Sequence, residues 1–152
     1  MLRAELEGAL KSAMKARDDK VRVSTLRLIM AAIKDRDIAA RSEDRCDGVS
    51  DDEILAILTK MVKQREESAA TYDKACRPEL AEQERSEMEV IRGFMPKQLS
   101  DEETEAAVRE VIADLEATGL KDMGRSMAAL KERHAGAMDF GRAGAIMKKA
   151  LS

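Results

Sequence analysis

Side chains capable of covalent chemistry are few in this sequence. His134 is the single histidine, and Cys46 and Cys76 are the two thiols. A histidine-based nucleophile pair or a multi-histidine metal site would have to be built on His134 alone. His134 follows Lys131-Glu132-Arg133 near a predicted helix end, where the helix dipole favours a structural, partly charged imidazole. Neither cysteine has the basic surroundings that produce a reactive thiolate. We therefore expect no catalytic residue, no metal and no cofactor.

Motifs that bind nucleotides are missing as well. No glycine-rich stretch has the spacing of a P-loop or of a dinucleotide-binding turn. Aromatic platforms for base stacking are limited to Tyr72, Phe94 and Phe140. A nucleic acid would therefore be recognised through backbone charge and shape rather than through stacked bases.

Basic residues near the end of the chain are the candidate binding surface. Residues 121–152 hold seven bases and three acids, whereas residues 100–120 hold one base and seven acids. Gly124 follows a predicted helix start and leaves room for a phosphate to approach the first-turn amides. The alternative is that Gly124 permits close helix packing and that the basic residues only solvate helix faces. The candidate nucleic-acid-binding residues are Gly124, Arg125, Lys131, Arg133, Lys148 and Lys149.

The composition predicts an all-α protein. Hydrophobic residues make up 44% of the 152 residues and charged residues 38%, so the chain is too apolar to be disordered. Only 2% of the residues are aromatic, and Leu, Ile, Met and Ala pack well between helices. Two prolines and eight glycines leave few breaks, so the helices should be long.

Apolar spacing predicts four helices before Pro96. The first ends near residues 18–19, the second covers about residues 20–41, the third ends near residues 76–77, and Pro78 opens the fourth. Leu26, Ile29, Met30, Ile33 and Asp37/Ile38 are predicted on the inner edge of the second helix. Ser50 and Glu53 have capping-box spacing at the start of the third, and Val49 and Ile54 can form a hydrophobic staple.

Three further helices are predicted after Pro96. Ser100 and Glu103 form a second capping box, and this helix is expected to stop at Gly119. Asp122 and Asp139 can cap the next two helices. Because a residue before proline resists the α conformation, we place a boundary there, with lobes of residues 1–95 and 96–152.

Several segments resemble the GatB/YqeY family, in order along almost the whole chain. The matching runs are Ser24-Thr25-Leu26-Arg27-Leu28 with Ala31-Ala32-Ile33-Lys34, Lys63-Gln64-Arg65 with Glu67-Ser68, Arg77 with Leu80-Ala81, Pro96 with Gln98-Leu99-Ser100, and Asp122-Met123-Gly124. The main departure is Cys76, where the family usually has glycine, which leaves open whether that turn keeps a positive φ.

The resemblance implies a two-lobed helical protein related to the tail of the B subunit of the glutamine-dependent aminoacyl-tRNA amidotransferase. In that enzyme the tail grips tRNA, while other parts catalyse the reaction. Stand-alone members carry the label of carbon–nitrogen ligases with glutamine as amido-N-donor, but no catalytic centre is evident in this sequence. The implied partners are tRNA and a synthetase-like or amidotransferase-like protein. The alternative is a protein–protein adaptor that docks on a synthetase or another translation-associated partner.

A cytoplasmic location is expected from three features. No apolar run approaches the ~20 residues that cross a bilayer, so we expect no membrane partner. The first six residues are amphipathic and do not resemble a signal peptide. The two cysteines lack CxxC spacing, which fits reduced thiols.

Overall fold

Seven α-helices, and no strand, occur among the residues that the computed structural model describes, which are 1–17, 19–45 and 47–152. The predicted all-α fold is thus confirmed. The helices are α1 (Leu2–Ala16), α2 (Lys20–Arg41), α3 (Asp51–Lys74), α4 (Pro78–Arg92), α5 (Asp101–Asp114), α6 (Met123–Arg133) and α7 (Phe140–Leu151). A single 3-10 turn, Leu120–Asp122, precedes α6. The chain divides into two compact units, Met1–Met95 and Pro96–Ser152.

The first unit, α1 to α4, is built around an aliphatic core. Its completely buried side chains are Leu6, Leu26, Ile29, Ile33, Ile54, Leu58 and Ile91. They recur at three- and four-residue spacing along their helices, which places them on one face of each. Burying one such side chain contributes about 1.5–3 kcal/mol, so this repeated spacing accounts for the association of the helices.

Both predicted capping boxes are present. The Ser50 side chain accepts the Glu53 N–H, and the Glu53 carboxylate accepts the Ser50 N–H at 2.8 Å. Ser100 and Glu103 exchange the same pair of bonds at the start of α5. Local polar groups therefore satisfy first-turn amides that would otherwise lack partners.

A half-buried ion pair joins α1 to α2, and it also contacts the loop between α2 and α3. The Arg3 guanidinium donates to both oxygens of Asp37, at 2.9 and 2.8 Å, and Asp37 also accepts the Val49 N–H at 2.9 Å. Arg3 first, and the Val49 N–H second, hold the pKa of Asp37 below its usual value. Gly48 has φ +81°, and a Cβ there would lie 3.0 Å from Asp37 Oδ1. The prediction that Ile38 shares this inner edge is wrong, because its side chain is 53% exposed.

The hairpin of α3 and α4 turns at Cys76, which has φ +57°. The Arg77 N–H donates to the Tyr72 carbonyl at 2.8 Å, and the Cys76 N–H donates to the Asp73 carbonyl at 3.2 Å. These are the two bonds of a Schellman turn, whose left-handed position is usually glycine. The turn therefore keeps a positive φ although it carries a cysteine.

An ion pair occupies the interface between α3 and α4 beyond the aliphatic core. Arg65 Nε donates to Glu87 Oε2 at 3.0 Å, and both side chains are less than 15% exposed. Arg65 also donates to the Met61 carbonyl at 3.2 Å. Burial, and then the neighbouring charge of Glu87, raise the pKa of Glu84 beside this pair. Polar contacts thus help to align the outer part of the hairpin.

The second unit is a three-helix bundle of α5, α6 and α7. Its core includes Val108, Val111, Leu130, Ala143 and Met147. Helix α5 ends at Asp114 instead of Gly119, because Glu116 adopts a left-handed conformation with φ +50°. The chain entering the unit is tied to the α6–α7 connection, since the Leu99 N–H donates to the Ala137 carbonyl at 2.8 Å.

Candidate nucleic-acid interface

The acidic α5 and the basic α6 and α7 are joined by ion pairs within the second unit. Arg133 of α6 contacts Asp114 near the end of α5, with 2.6 Å between Nη1 and Oδ2. Arg142 of α7 contacts Asp101 at the start of α5, also at 2.6 Å. Part of the negative charge of α5 is therefore neutralised by ion pairs with basic residues of α6 and α7.

The Asp122 carboxylate lies next to the start of α6. Asp122 accepts the Thr118 N–H at 2.9 Å and the Arg125 Nε–H at 3.0 Å. The Thr118 N–H foremost, and Arg125 less strongly, lower the pKa of Asp122. The Asp122 side chain makes no capping bond to α6, so that part of the sequence prediction is wrong. Because the 3-10 turn leads directly into α6, the Met123 N–H is already bonded to the Leu120 carbonyl.

Gly124 is exposed, and a Cβ built on it would meet no atom within 4 Å. The alternative that Gly124 exists for close helix packing is therefore not supported. At Gly144 of α7, which faces α6, a Cβ would lie 3.8 Å from the methyl carbon of Met127, an ordinary van der Waals distance. The surface above Gly124 is open.

Four lysines of this unit differ from its arginines in that they form no ion pair with a described residue. Lys131, Lys148 and Lys149 are exposed, and none has an ion-pair partner among the residues described. Lys121, in the 3-10 turn, is exposed and unpaired in the same way. It was missed by the sequence prediction, although it directly precedes the Asp122-Met123-Gly124 segment.

The six candidate residues do not all lie on one face. Gly124 and Lys131 are seven residues apart, so they project within about 20° of each other around the α6 axis. Arg133 is about 160° from Lys131 and reaches α5. The arginines of α6 and α7 therefore pair with carboxylates of the unit, whereas the lysines of these helices face solvent with no ion pair to a described residue.

The single histidine of the chain lies in the second unit, three residues after Lys131. His134 ends α6, where its N–H donates to the Leu130 carbonyl at 3.0 Å. Cys76 is an exposed free thiol in the first unit, and Cys46 lies outside the described residues. Within residues 1–17, 19–45 and 47–152, no three His, Cys, Asp or Glu side chains are grouped so that they could hold a metal ion. None of the described helices is long and apolar enough to span a membrane.

Several fungal proteins are similar to this chain. Altered inheritance of mitochondria protein 41, mitochondrial, of Lachancea thermotolerans is 32% identical over 114 residues, which cover 74% of this chain and 58% of that protein. The protein of the same name from Kluyveromyces lactis is 30% identical over 114 residues, 74% of this chain and 59% of its own length. An uncharacterized protein of Schizosaccharomyces pombe is 29% identical over 100 residues, 66% of this chain and 76% of its own. The chain thus spans somewhat over half the length of the first two relatives.

The names of the first two relatives contradict the cytoplasmic location expected from the sequence, because they point to the mitochondrion. That expectation had three grounds, of which the spacing of the two cysteines was one. Reduced thiols indicate a reducing environment, but they do not distinguish one reducing compartment from another.

The model of a protein family described as Yqey-like protein matches residues 3–151. This match extends through both units, from α1 to the end of α7. The chain is therefore a member of the YqeY-like protein family.

Proposed function

We propose that this protein is a tRNA-binding module whose second unit holds the sugar–phosphate backbone through unpaired lysines. Lys131, Lys148 and Lys149 supply the contacts, with Lys121 beside them. The module carries no amide-transfer chemistry of its own. It would act beside an enzyme such as an aminoacyl-tRNA amidotransferase, in line with the family resemblance.

The observation that carries the proposal is the contrast between the arginines and lysines of α6 and α7. Arg125, Arg133 and Arg142 are each paired with a carboxylate of the same unit. The lysines are exposed and have no such partner among the described residues. A lysine ammonium is a compact charge that can neutralise a phosphate without a fixed hydrogen-bond geometry, which suits binding independent of base sequence.

Arg125 has a smaller role in this proposal than the sequence suggested. Its Nε–H is held by Asp122, whose side chain is only 14% exposed. A phosphate at the start of α6 would approach that carboxylate and be repelled by it. Gly124 contributes open surface beside Lys131, and we expect the phosphate path to follow the lysines.

The test is binding of unfractionated tRNA to the full chain and to the variant Lys131→Gln with Lys148→Gln, between about 50 and 200 mM salt. Each lysine that contacts a phosphate should reduce the slope of log affinity against log salt by about 0.7–0.9. We expect the double variant to lose about 1.4–1.8 from the slope and at least about tenfold in affinity at low salt. Its thermal stability should be unchanged.

Arg142→Gln is the matched control, because it removes one positive charge that is already paired with Asp101. We expect it to change tRNA affinity less than about twofold. An equal loss in Arg142→Gln and in either single lysine variant would mean that net charge, and not the lysine surface, governs binding. Absence of binding by the parent chain at low salt would refute the proposal.

The adaptor function is the second candidate, and the outer face of α2 supports it. Leu28 and Ile38 of this helix are 49% and 53% exposed and would supply apolar contacts to a partner. If tRNA does not bind, Leu28→Lys and Ile38→Lys would test this face through the loss of co-purifying translation proteins.

A further inference from the structure

A cleft of about 300 Å³ lies beside the turn between α1 and α2, in the first unit. Arg17, Lys20 and Arg27 supply its positive charges, and Met14 and Val23 form part of its apolar wall. Arg17 has φ +57° and ends α1, whereas Lys20 begins α2. The turn therefore brings basic residues from both helices to one opening.

The three basic side chains have no ion-pair partner among the described residues. Other arginines of this unit are engaged: Arg3 binds Asp37, and the Arg22 guanidinium lies 5.7 Å from the centre of the Phe94 ring. Among the described residues Asp19 is the acid that lines the cleft, and its carboxylate accepts the Arg22 N–H at 2.9 Å as the cap of α2, while Asp18 lies outside the described residues. Among the lining residues, three cations thus face one carboxylate.

Part of the wall of the cleft is apolar. Ala13 is buried at its base, and Met14 is 46% exposed beside it. A methionine thioether makes favourable contacts with an aromatic ring. Together with Val23, these side chains offer apolar surface beside the three cations, against which an aromatic base can pack.

We propose that this cleft binds a nucleoside 5′-monophosphate, either as a free nucleotide or as the 5′-terminal nucleotide of an RNA. The phosphate lies among Arg17, Lys20 and Arg27, and the base lies against Met14. A terminal phosphate carries about −1.5 to −2 charges at pH 7, which suits a cluster of three cations better than the single charge of an internal phosphodiester. This site is separate from the lysine surface of the second unit and does not depend on it.

The experiment follows the methyl resonances of the full chain labelled with ¹³C-methyl methionine, with the Met14 signal assigned by Met14→Leu. The probes are adenosine 5′-monophosphate, adenosine and inorganic phosphate, in low-salt buffer. We expect the monophosphate to shift the Met14 signal saturably, and the two part-ligands to bind at least about tenfold more weakly, because each retains only one of the two contacts.

Arg27→Gln and Lys34→Gln form a matched pair of variants. Lys34 is exposed on α2 and lies seven residues after Arg27, so it projects in about the same direction, about 10 Å further along the helix. We expect Arg27→Gln to weaken monophosphate binding about tenfold and Lys34→Gln to change it less than twofold. Equal effects of the two variants would overturn the proposal, as would an unmoved Met14 signal at about 10 mM ligand.

A short RNA with and without a 5′-phosphate distinguishes the two sources. Tighter binding of the phosphorylated RNA than of the mononucleotide would support the proposal and assign the site to RNA ends. Phosphate-dependent binding of the RNA that is no tighter than that of the mononucleotide would support it with a free nucleotide as ligand. Equal binding of phosphorylated and unphosphorylated RNA at Met14 would contradict it. Because the readout lies in the first unit, it does not depend on whether tRNA binds the lysines of the second.

Discussion

Glu53 should be the most informative residue for stability in the first unit, because it joins the start of α3 to the preceding loop. Its carboxylate accepts the Ser50 N–H at 2.8 Å and lies 2.6 Å from Arg45 Nη2, with Arg36 at 3.8 Å. Arg45 first, and the Ser50 N–H second, lower the pKa of Glu53 to about 2. Replacement by glutamine keeps the size of the side chain and removes its charge.

The expected loss follows from this pKa. A decrease from 4.5 to about 2 corresponds to at most about 3 kcal/mol of stability at neutral pH. The Glu53 side chain is 25% exposed, and exposed ion pairs usually contribute only about 0.2–1 kcal/mol. Because a glutamine at this position can still accept the Ser50 N–H, the loss comes mainly from the ion pair, and we expect Glu53→Gln to lower the free energy of unfolding by about 1 kcal/mol.

Urea unfolding followed by circular dichroism, at several pH values, measures this loss. A carboxylate whose pKa is lowered by folding stabilises the protein above its unfolded pKa and loses that effect as the pH falls. The difference between the parent and Glu53→Gln should therefore be complete at pH 7, decrease below about pH 4.5 and vanish near pH 2.

Two further variants test whether the ion pair with Arg45 causes the loss of stability in Glu53→Gln. Glu103 occupies the equivalent position at α5, with the Ser100 N–H as the main cause of its lowered pKa and no arginine contact. Glu103→Gln should therefore cost less than Glu53→Gln. In a double-mutant cycle, Arg45→Gln should cost almost nothing once Glu53 is glutamine. A pH-independent loss, or full additivity of the Glu53 and Arg45 changes, would refute the reasoning.

Three other substitutions have defined expectations, each measured as a free energy of unfolding in denaturant. Cys76→Gly should stabilise the protein by about 0.5–1 kcal/mol, because it relieves a left-handed cysteine, whereas Cys76→Ala should have almost no effect. Glu87→Gln should cost about 2 kcal/mol, since it leaves the Arg65 guanidinium half-buried without its partner, and the exposed Glu89→Gln should cost little. Gly48→Ala should cost at least about 1 kcal/mol, because it combines a positive φ with a contact to Asp37, and no loss there would contradict the described loop.

Helix type and helix starts could be predicted from the sequence because they depend on local contacts. Ser50 and Ser100 reach amide groups only three residues away, and Pro78 fits the first turn of α4 without losing a hydrogen bond. The apolar spacing of Leu26, Ile29 and Ile33 likewise indicates the buried face of α2 wherever that helix packs.

Some helix ends were not predictable from residue type. We expected α5 to stop at glycine, yet Glu116 ends it in a left-handed conformation that the sequence does not announce. The end of α3 near residues 76–77 was predicted, but the left-handed conformation of Cys76 there is not evident from its residue type. A non-glycine residue can take this conformation when the surrounding turn is satisfied by hydrogen bonds, and those bonds depend on where the following segment goes.

The division of the basic residues into paired and free groups was decided only by the tertiary structure. Arg133 meets Asp114 across 19 residues, and Arg142 meets Asp101 across 41. The cleft formed with Arg17 and Arg27 likewise requires that α1 turn back onto α2. Charge and exposure of a lysine or arginine can be estimated from its helix alone, but its partner depends on which helices are neighbours. Long-range packing makes that choice, because opposite charges interact strongly only when the fold brings them within a few ångströms.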